Sequence, residues 1–303
     1  MPECGSEPGI CRVIAPGIRC ILAPNPSVMT GPGTNTFLVA SANSGGGGVA
    51  VIDPGPALPR HMAAIRAALL PAERISHILI THAHLDHSGL APALSDATGA
   101  PVIGFGNAAA GRSFAMQRLA AVMEPGAGVD HDFAPDITLP DGAVVSGDGW
   151  CLTALHTPGH MGNHLCFATD DVLFTGDHVM GWSTSLVAPP DGDMTDYMAS
   201  LHKLAARRWQ MFLPAHGDAI TDPARRTAHL ISHRKAREAT LLSALRHGPQ
   251  TVASLTVRTY PDLAAQLIPA ARLNVLAHLV DLHGRNLIAV HPFIAPDAIF
   301  ASR

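Results

Sequence analysis

The chain has 303 residues, of which 47% are apolar and 15% are charged, and its formal net charge is −4 at pH 7. This length allows one large domain, or a large and a small one, and the composition excludes a disordered chain. No apolar run approaches the roughly eighteen residues of a membrane-spanning helix, so we expect no membrane contact.

The cysteines and the first residues bear on the cellular compartment. Cysteines stand at positions 4, 11, 20, 151 and 166, an odd number without a Cys-x-x-Cys pair. This spacing is typical of reduced thiols, with a bridge between Cys4 and Cys11 as the alternative. Residues 1–10 lack the basic-then-apolar pattern of a secretory signal. Both observations predict a cytoplasmic protein.

The predicted elements begin with a succession of strands and helices. Periodicity predicts strands over residues 18–22, 35–40, 49–52, 75–80 and 102–105, and helices over 61–70 and 91–98. Residues 44–48 include four consecutive glycines and predict a flexible hairpin tip. Residues 107–123 predict a helix or a mobile loop, strands recur over 143–174, and a helix follows near 197–207. This order favours an α/β architecture with two sheets sandwiched by helices.

The character of the chain changes near residue 222. Helical patterns cover residues 224–246, 251–259 and 269–283, and a short strand is predicted over 287–290. We therefore expect a catalytic domain over residues 1–222 and a small helical domain over 223–303. Residues 221–303 hold ten Lys and Arg against five Asp and Glu, whereas residues 1–220 hold ten against nineteen. Because the tail has almost no aromatics and no Lys/Arg run, a solvated basic face explains it better than nucleic-acid contact.

The most informative segment is the nonamer over residues 81–89. Four strong metal-ligand side chains lie within six of its positions: His82, His84, Asp86 and His87. In an extended loop alternate side chains point the same way, so His82 and His84 can bind one ion while the next two residues face a second. Imidazole and carboxylate ligands suit zinc, manganese or iron better than calcium or magnesium.

A two-metal site needs about six to eight protein ligands, so the nonamer predicts distant partners. Three candidates stand at the ends of apolar strand patterns: His160, Asp177 and His216. A glycine adjoins each of them, which fits a backbone that must turn sharply there.

These motifs resemble, in type and in order, those of the metallo-β-lactamase-fold superfamily. The matching segments are His82-x-His84-x-Asp86-His87, Thr157-Pro-Gly-His160, Thr175-Gly-Asp177 and Pro214-Ala-His216-Gly. Residues 33–39, 51–55, 196–201 and 231–238 are similar to the group that contains the β-lactamase-like protein 2 endoribonucleases. The resemblance implies an αββα four-layer sandwich with a small C-terminal winged-helix-like domain.

The resemblance also implies the ligand sets of two divalent ions. One ion would be held by His82, His84 and His160, the other by Asp86, His87 and His216, with Asp177 between them. Zinc is the expected metal, with manganese or iron as alternatives. Two such ions lower the pKa of a bridging water toward about 7 and so supply hydroxide. Asp86 can also orient this nucleophile, and His178 is a candidate catalytic donor to substrate.

Six further residues are candidates for supporting the ligands or for contacting substrate: Asp53, His156, His164, Asn35, Tyr197 and His233. For the first three we expect hydrogen bonds that support the metal loops. The last three match segments of the subgroup, and they are candidates for the cleft, with a structural role as the alternative.

Three functions fit this ligand set. The first is hydrolysis of phosphodiesters, including single-stranded RNA, which the subgroup likeness and the basic tail favour. The second is a thioester or lactone hydrolase of the hydroxyacylglutathione hydrolase kind, and the third is an iron-dependent persulfide dioxygenase. The expected partner is therefore a small molecule or a single-stranded nucleic acid, and a homodimer is the expected assembly. A lactamase is disfavoured, because zinc β-lactamases usually lack the His after the Asp.

Overall fold

A computed structural model describes residues 7–42 and 46–303 of the chain. Within these residues the strands form three sheets, of seven, five and three strands. Cys4, one partner of the alternative disulfide, lies outside the described residues, as does the start of the predicted hairpin tip. The thiol of Cys11 forms no disulfide with a described residue.

The first sheet combines antiparallel hairpins with parallel strands. Its strands neighbour one another in chain order: β1 (Cys11–Ala15), β2 (Ile18–Leu22), β3 (Asn35–Val39), β4 (Gly46–Ile52), β5 (Ala72–Leu79), β6 (Val102–Gly104) and β7 (Ile137–Thr138). Strands β1 to β4 pair antiparallel, and β4 to β7 pair parallel. The parallel connections contain the helices α1 (Pro59–Ala67), α2 (Leu85–Ser88), α3 (Ala91–Thr98) and α4 (Phe114–Leu119). The loop after β5 therefore opens at the carboxyl edge of the sheet, where α/β folds place functional groups.

The second sheet carries the loops of the distant ligand candidates. Its strands are β8 (Val144–Gly147), β9 (Trp150–His156), β10 (Leu165–Thr169), β11 (Val172–Gly176) and β12 (Met211–Pro214), in the spatial order β12-β11-β10-β9-β8. Strands β11 and β12 pair parallel, and the helix α5 (Met194–Ala205) connects them. His160 lies between β9 and β10, Asp177 follows β11, and His216 follows β12.

The two larger sheets pack face to face, and helices cover their outer faces. Between the sheets, the Phe37 and Phe174 rings meet edge to face with centroids 5.1 Å apart, inside a cluster of buried side chains from both sheets. On the outside, Ile65 of α1 and Leu94 of α3 cover the first sheet, and Leu201 of α5 covers the second. The expected αββα sandwich is confirmed.

A helical unit with a small sheet follows the sandwich. Its elements are α6 (Pro223–Leu245), β13 (Gln250–Thr251), α7 (Val252–Thr259), a 3₁₀ turn (Ala265–Leu267), α8 (Ile268–Gly284), β14 (Ile288–His291) and β15 (Ile299–Ser302). Leu241, Leu276 and Phe300 share a buried cluster with Met116 and Leu119 of α4. Three helices followed by a β-hairpin form the winged-helix arrangement that the sequence predicts.

Local sequence signals set several helix ends. Asp193 caps α5 by accepting from the backbone N–H of Thr195 at 2.8 Å, a contact that stabilises a helix by about 1 kcal/mol. Helix α3 ends at Gly99, whose φ of +72° is one that glycine adopts without strain. Among the helices within the described residues, none combines the length and the apolar character that crossing a membrane requires.

The glycine-rich segment differs from its prediction. Residues 46–48 belong to β4 and pair with β5, and the backbone N–H of Gly48 donates to the Asp148 carboxylate at 2.7 Å. A methyl group on Gly48 would lie 2.6 Å from the hydroxyl oxygen of Ser76. Glycine is required here because neighbouring side chains approach the strand closely, so a flexible tip over residues 46–48 is wrong.

Candidate metal centre

All the ligand candidates of the sequence meet at the carboxyl edges of the two larger sheets. They form two groups, His82, His84, His160 and Asp177 in the first and Asp86, His87 and His216 in the second. Within each group, one donor atom from every residue lies within 4.8 Å of the others. The loops after β5, β9, β11 and β12 thus bring together side chains that are far apart in the chain.

Three imidazoles dominate the first group. The Nδ1 atom of His84 lies 2.8 Å from Nε2 of His82 and 3.1 Å from Nε2 of His160. Ligand atoms that bind one tetrahedral zinc ion at 2.0–2.1 Å stand about 3.4 Å apart. Both of these nitrogen–nitrogen distances are within about 0.6 Å of the separation that one shared ion requires.

The second group surrounds the carboxylate of Asp86. Its Oδ2 atom lies 3.3 Å from Nε2 of His216 and 3.4 Å from Nε2 of His87. Asp177 adjoins both groups, because its Oδ1 lies 3.3 Å from Nε2 of His216 and its Oδ2 lies 3.7 Å from Nε2 of His160. A carboxylate in this position can contact two ions at once.

The protonation chemistry of the cluster suits cations. Burial would raise the pKa of Asp177, but the imidazoles of His216 and His87 hold it well below its usual range. Burial, followed by the neighbouring His160, lowers the pKa of His84 to about 3, which keeps this ring neutral as a metal ligand must be. At His216 burial is outweighed by the neighbouring Asp177 and Asp86 carboxylates, which raise the pKa to about 10, so this ring carries a proton that a bound cation would displace. Among the described residues, the buried Nε2 of His87 and Oδ1 of Asp177 have no hydrogen-bond partner. Since such atoms are costly to bury unpaired, the residues fit bound metal.

Comparison with known families agrees with this geometry. Residues 29–216 match the family described as the metallo-beta-lactamase superfamily, and residues 251–292 match the beta-lactamase associated winged helix domain. The chain belongs to the metallo-β-lactamase superfamily.

Individual relatives refine the comparison. The chain is 31% identical to an atrochrysone carboxyl ACP thioesterase of Aspergillus fumigatus over 78% of this chain and 67% of that one. It is 29% identical to a beta-lactamase-like protein 2 homolog of Drosophila melanogaster over 93% of each chain. The chain spans about two thirds of the length of that thioesterase. It spans 64% of the length of another fungal relative, a lactamase-like protein of Trichophyton rubrum.

A solved structure shows the same fold over both parts of the chain. The crystal structure of a beta-lactamase domain protein from Burkholderia ambifaria superposes with a TM-score of 0.80 at 22% identity. The superposition covers 98% of this chain and 95% of that one. The two structures therefore share one fold over both the sandwich and the winged helix.

In the chain itself, Asp53 accepts hydrogen bonds from two residues of the nonamer over 81–89. Its Oδ1 accepts from the backbone N–H of Thr81 at 2.8 Å, and its Oδ2 accepts from the Thr81 hydroxyl at 2.7 Å and from Nδ1 of His87 at 2.9 Å. With Nδ1 engaged in this way, Nε2 is the His87 atom that faces the carboxylates of Asp86 and Asp177, at 3.4 and 3.7 Å.

Backbone carbonyls orient two further imidazoles in the same way. Nδ1 of His216 donates to the Gly33 carbonyl at 3.0 Å, and Nδ1 of His160 donates to the Leu186 carbonyl at 2.6 Å. Each ring consequently presents Nε2 to the cluster.

Three of the supporting candidates contact the ligand loops. The side-chain amide of Asn35 donates to the carbonyls of Pro214 and Gly217 at 3.0 and 2.8 Å, on either side of His216. Nε2 of His164 accepts from the backbone N–H of Asp177 at 3.3 Å. Nε2 of His156 donates to the Gly162 carbonyl at 2.8 Å.

The structure buries the ring of His178 completely. Its ring is fully buried, with its centroid 4.8 Å from that of Tyr197, and neither ring nitrogen has a hydrogen-bond partner among the described residues. Burial lowers the pKa of His178 to about 3. The ring presents no exposed nitrogen to a cleft, and the role of a catalytic donor gains no support from its position.

The remaining two candidates, Tyr197 and His233, lie outside both ligand groups. The Tyr197 hydroxyl donates to the His178 carbonyl at 3.2 Å, so this buried side chain is structural in its contacts. His233 lies half-buried on α6, where burial and then Arg234 lower its pKa to about 4. The structure does not bring His233 into either ligand group.

One polar contact at the centre was missed by the sequence reasoning. The hydroxyl of Thr34 donates to Oδ2 of Asp86 at 3.2 Å. Thr34 lies within the segment 33–39 that matched the subgroup, so the signal was present in that motif. The contact fixes the carboxylate that stands between His87 and His216.

Proposed function

We propose that this chain is a two-metal hydrolase, with zinc as its metal, that cleaves acyl esters or thioesters. The observation that carries the substrate class is an apolar rim around the metal cluster. Phosphodiester cleavage, which the sequence alone favoured, becomes the second candidate. Residues 1–220 have nine more acidic than basic residues (nineteen against ten), and this excess of negative charge disfavours the binding of a polyanion.

The rim consists of exposed apolar side chains on the segments that carry the ligands. Leu85, between His84 and Asp86, is 50% exposed, and Trp182 is 49% exposed. The Trp182 indole packs against the glycine after His216, since a methyl group on Gly217 would lie 2.6 Å from its Cδ1. Exposed apolar surface beside a reactive centre favours an apolar acyl group.

The same indole connects the rim to a second apolar turn. A methyl group on Gly31 would lie 3.3 Å from Cζ2 of Trp182. Val28 and Met29, both exposed, lie in the turn that Ser27 closes by pairing with Gly31. A further segment of the chain thus carries exposed apolar side chains, in a turn that adjoins Trp182.

When bound, two cations would polarise the substrate carbonyl and supply hydroxide at neutral pH. Asp177, buried and ionised, holds a fixed negative charge between the two ligand groups. The side chain of Asp86 is 28% exposed against 11% for Asp177, so it is the carboxylate that can reach a water from the cleft. Thr34 fixes its Oδ2, and we assign to Asp86 the orientation of the attacking water and the transient holding of its proton.

The relatives support the thioester as the scissile group. The Aspergillus fumigatus protein bears the name of a thioesterase, and its match covers 78% of this chain. We do not propose a persulfide dioxygenase. Such an enzyme uses one iron ion, whereas the seven candidate ligands form two groups, so one complete group would have no metal to bind.

A metal analysis with a substrate panel tests the proposal. We expect two zinc ions per chain and hydrolysis of S-acyl pantetheine thioesters, with little turnover of bis(4-nitrophenyl) phosphate. Cleavage of labelled single-stranded RNA without thioesterase activity would transfer the assignment to the second candidate. One iron per chain with sulfite production would establish the dioxygenase.

One observation favours the second candidate. A groove of about 600 Å³ runs from Trp182 to the first turns of α6, where Arg225, Arg226 and His229 line it. Arg226 donates to the carbonyls of Met180 and Ser183, which do not neutralise its charge, and the carboxylates of Asp218 and Asp222 line the same groove. Phosphate groups bind such arginines.

The domain boundary belongs to the same proposal. Helix α6 begins at Pro223, and Asp222 caps it by accepting from the backbone N–H of Arg225 at 3.0 Å. We propose residues 1–222 as the catalytic domain and 223–303 as the winged-helix domain. The cytoplasmic location and the homodimer stay predictions.

A further inference from the structure

We propose that the C-terminal helices position the metal ligand His160, and that Arg234 and Asn274 are the positioning residues. The proposal rests on the two-metal site described above, and its test measures metal binding as well as turnover. Each step of the connection is a contact between described residues.

The first step is the bond that sets the ring of His160. Its Nδ1 donates to the carbonyl of Leu186 at 2.6 Å, while its Nε2 lies 3.1 Å from Nδ1 of His84 in the first ligand group. A movement of the Leu186 carbonyl would rotate or displace the ring. The loop over residues 185–187 therefore determines where this ligand points.

The second step is the attachment of that loop to two helices of the C-terminal unit. The guanidinium of Arg234, on α6, donates to the carbonyl of Ser185. The side-chain oxygen of Asn274, on α8, accepts from the backbone N–H of Val187 at 3.0 Å and from Nη1 of Arg234 at 3.3 Å. Both neighbours of Leu186 are thus held by side chains from residues beyond 222.

The third step concerns the free-energy cost of burying the Arg234 side chain. Its side chain is 1% exposed, its guanidinium lies 5.0 Å from the centroid of the Tyr197 ring, and no carboxylate pairs with it among the described residues. Its Nε is also without a partner in this part of the chain. Burying a cation without a counter-ion costs several kcal/mol of free energy, and an apolar side chain would fill the space without this penalty. The guanidinium is therefore explained by the loop that it holds.

A nearby arginine provides the matched comparison. Arg237 lies one turn further along α6, donates to the carbonyl of Thr259 at 3.0 Å and rests 4.6 Å from the Tyr260 ring centroid. It has the same types of contact as Arg234, a backbone carbonyl and an aromatic face. These contacts stay within the C-terminal unit and do not touch residues 185–187.

The test uses the full chain and measures the two zinc affinities by competition with a chelator, with the cobalt-substituted absorption spectrum and thermal unfolding alongside. Partners of metal-bound imidazoles typically contribute 10- to 100-fold to metal affinity. Because Asn274 acts through one intervening carbonyl, we expect Asn274→Ala to weaken one of the two ions about tenfold and to alter the cobalt spectrum. Asn274→Asp keeps the acceptor oxygen and should restore both.

Arg234→Lys removes one of the two donors and should weaken the same ion, whereas Arg237→Met should leave both affinities unchanged. The inference is overturned if folded Asn274→Ala and Arg234→Lys bind both ions as tightly as the unaltered chain. It is equally overturned if the two ions weaken together in proportion to lost folding, or if Arg237→Met has the same effect. An unaltered chain that binds no zinc would refute the proposed function itself.

Discussion

The two ligand groups are supported by different parts of the molecule. Asp86, His87 and His216 are held from the first sheet and its loops, by Thr34, Asp53 and the Gly33 carbonyl respectively. His160 is held through the Leu186 carbonyl by a loop that the C-terminal helices fix.

This difference indicates that the winged helix does more than accompany the catalytic sheets. One ion would be enclosed by partners that all precede residue 222, whereas the other depends on a ligand fixed by residues that follow it. Changes in each support should then act on one ion more than on the other.

The largest effect is expected where the two groups meet. Asp177→Ala removes the carboxylate that adjoins both, so we expect turnover to be abolished and bound zinc to fall for both ions, measured by elemental analysis. Asp170→Asn, in an exposed turn, is the matched control and should retain both properties. Full turnover in Asp177→Ala would exclude a bridging carboxylate.

A smaller and more selective effect is expected at Asp53. Asp53→Asn replaces an acceptor of three hydrogen bonds with a side chain that carries its own donors, and His87 would lose its fixed orientation. We expect zinc affinity of the second group to fall about 10- to 100-fold in chelator competition. Asp148→Asn, which changes only the support of a strand, should bind zinc normally. Equal weakening of both ions would contradict the separation of the two supports.

The C-terminal unit should also respond to acid in its own way. Burial, and then Arg234 and its neighbours, lowers the pKa of His278 to about 3, so the folded chain holds this ring neutral. Its contribution to stability is complete above the unfolded pKa of about 6.5 and is lost as the pH falls below that value. We expect the free energy of unfolding to fall by up to about 1.4 kcal/mol per pH unit from this group.

Urea unfolding of the unaltered chain and of His278→Leu between pH 7 and 5 measures the contribution. The variant should lose less stability over this interval, because the unfolded state has one fewer imidazole to protonate. If the unfolding free energies of the two proteins fell equally with pH, His278 would have the same pKa in the folded and unfolded states, and the prediction would be wrong.

The smallest effect is expected at the apolar rim. Trp182→Ala should raise KM for an S-acyl substrate about fivefold, or about 1 kcal/mol, with kcat and zinc content unchanged, because under the proposed function the indole would contact the acyl group and no metal. Phe293→Ala, an exposed aromatic between β14 and β15, should change neither constant. A fall in kcat at unchanged KM would show that Trp182 does not belong to the substrate-binding surface.

The convergence of the seven candidate ligands could be predicted from the sequence, because short motifs at strand ends fix both residue type and direction. His82, His84, Asp86 and His87 occupy one loop, and the remaining three adjoin glycines at chain turns. The support of His160 could not be predicted in this way. It joins residues 26, 49 and 87 positions apart, and its central atom is a backbone carbonyl that any residue would supply.

The fold shows the same limit. Short apolar runs predicted the buried strands β2 to β5, whereas residues 46–48 lacked side chains from which a strand could be recognised. Their place in β4 follows from close contact with Ser76 and Asp148, which only the folded chain brings near. His178 is the opposite case, since its position beside Asp177 in sequence does not decide on which side of the loop the ring falls.

Helix α4 gives the two parts of the chain a common interior. Met116 and Leu119 pack with Leu241, Leu276 and Phe300, although more than a hundred positions separate them. A protease that nicked the backbone near residue 222 would therefore release no soluble catalytic fragment, and both pieces would co-elute until denatured. Exchange of the tail between homologues would succeed only where the segment 114–119 is exchanged with it.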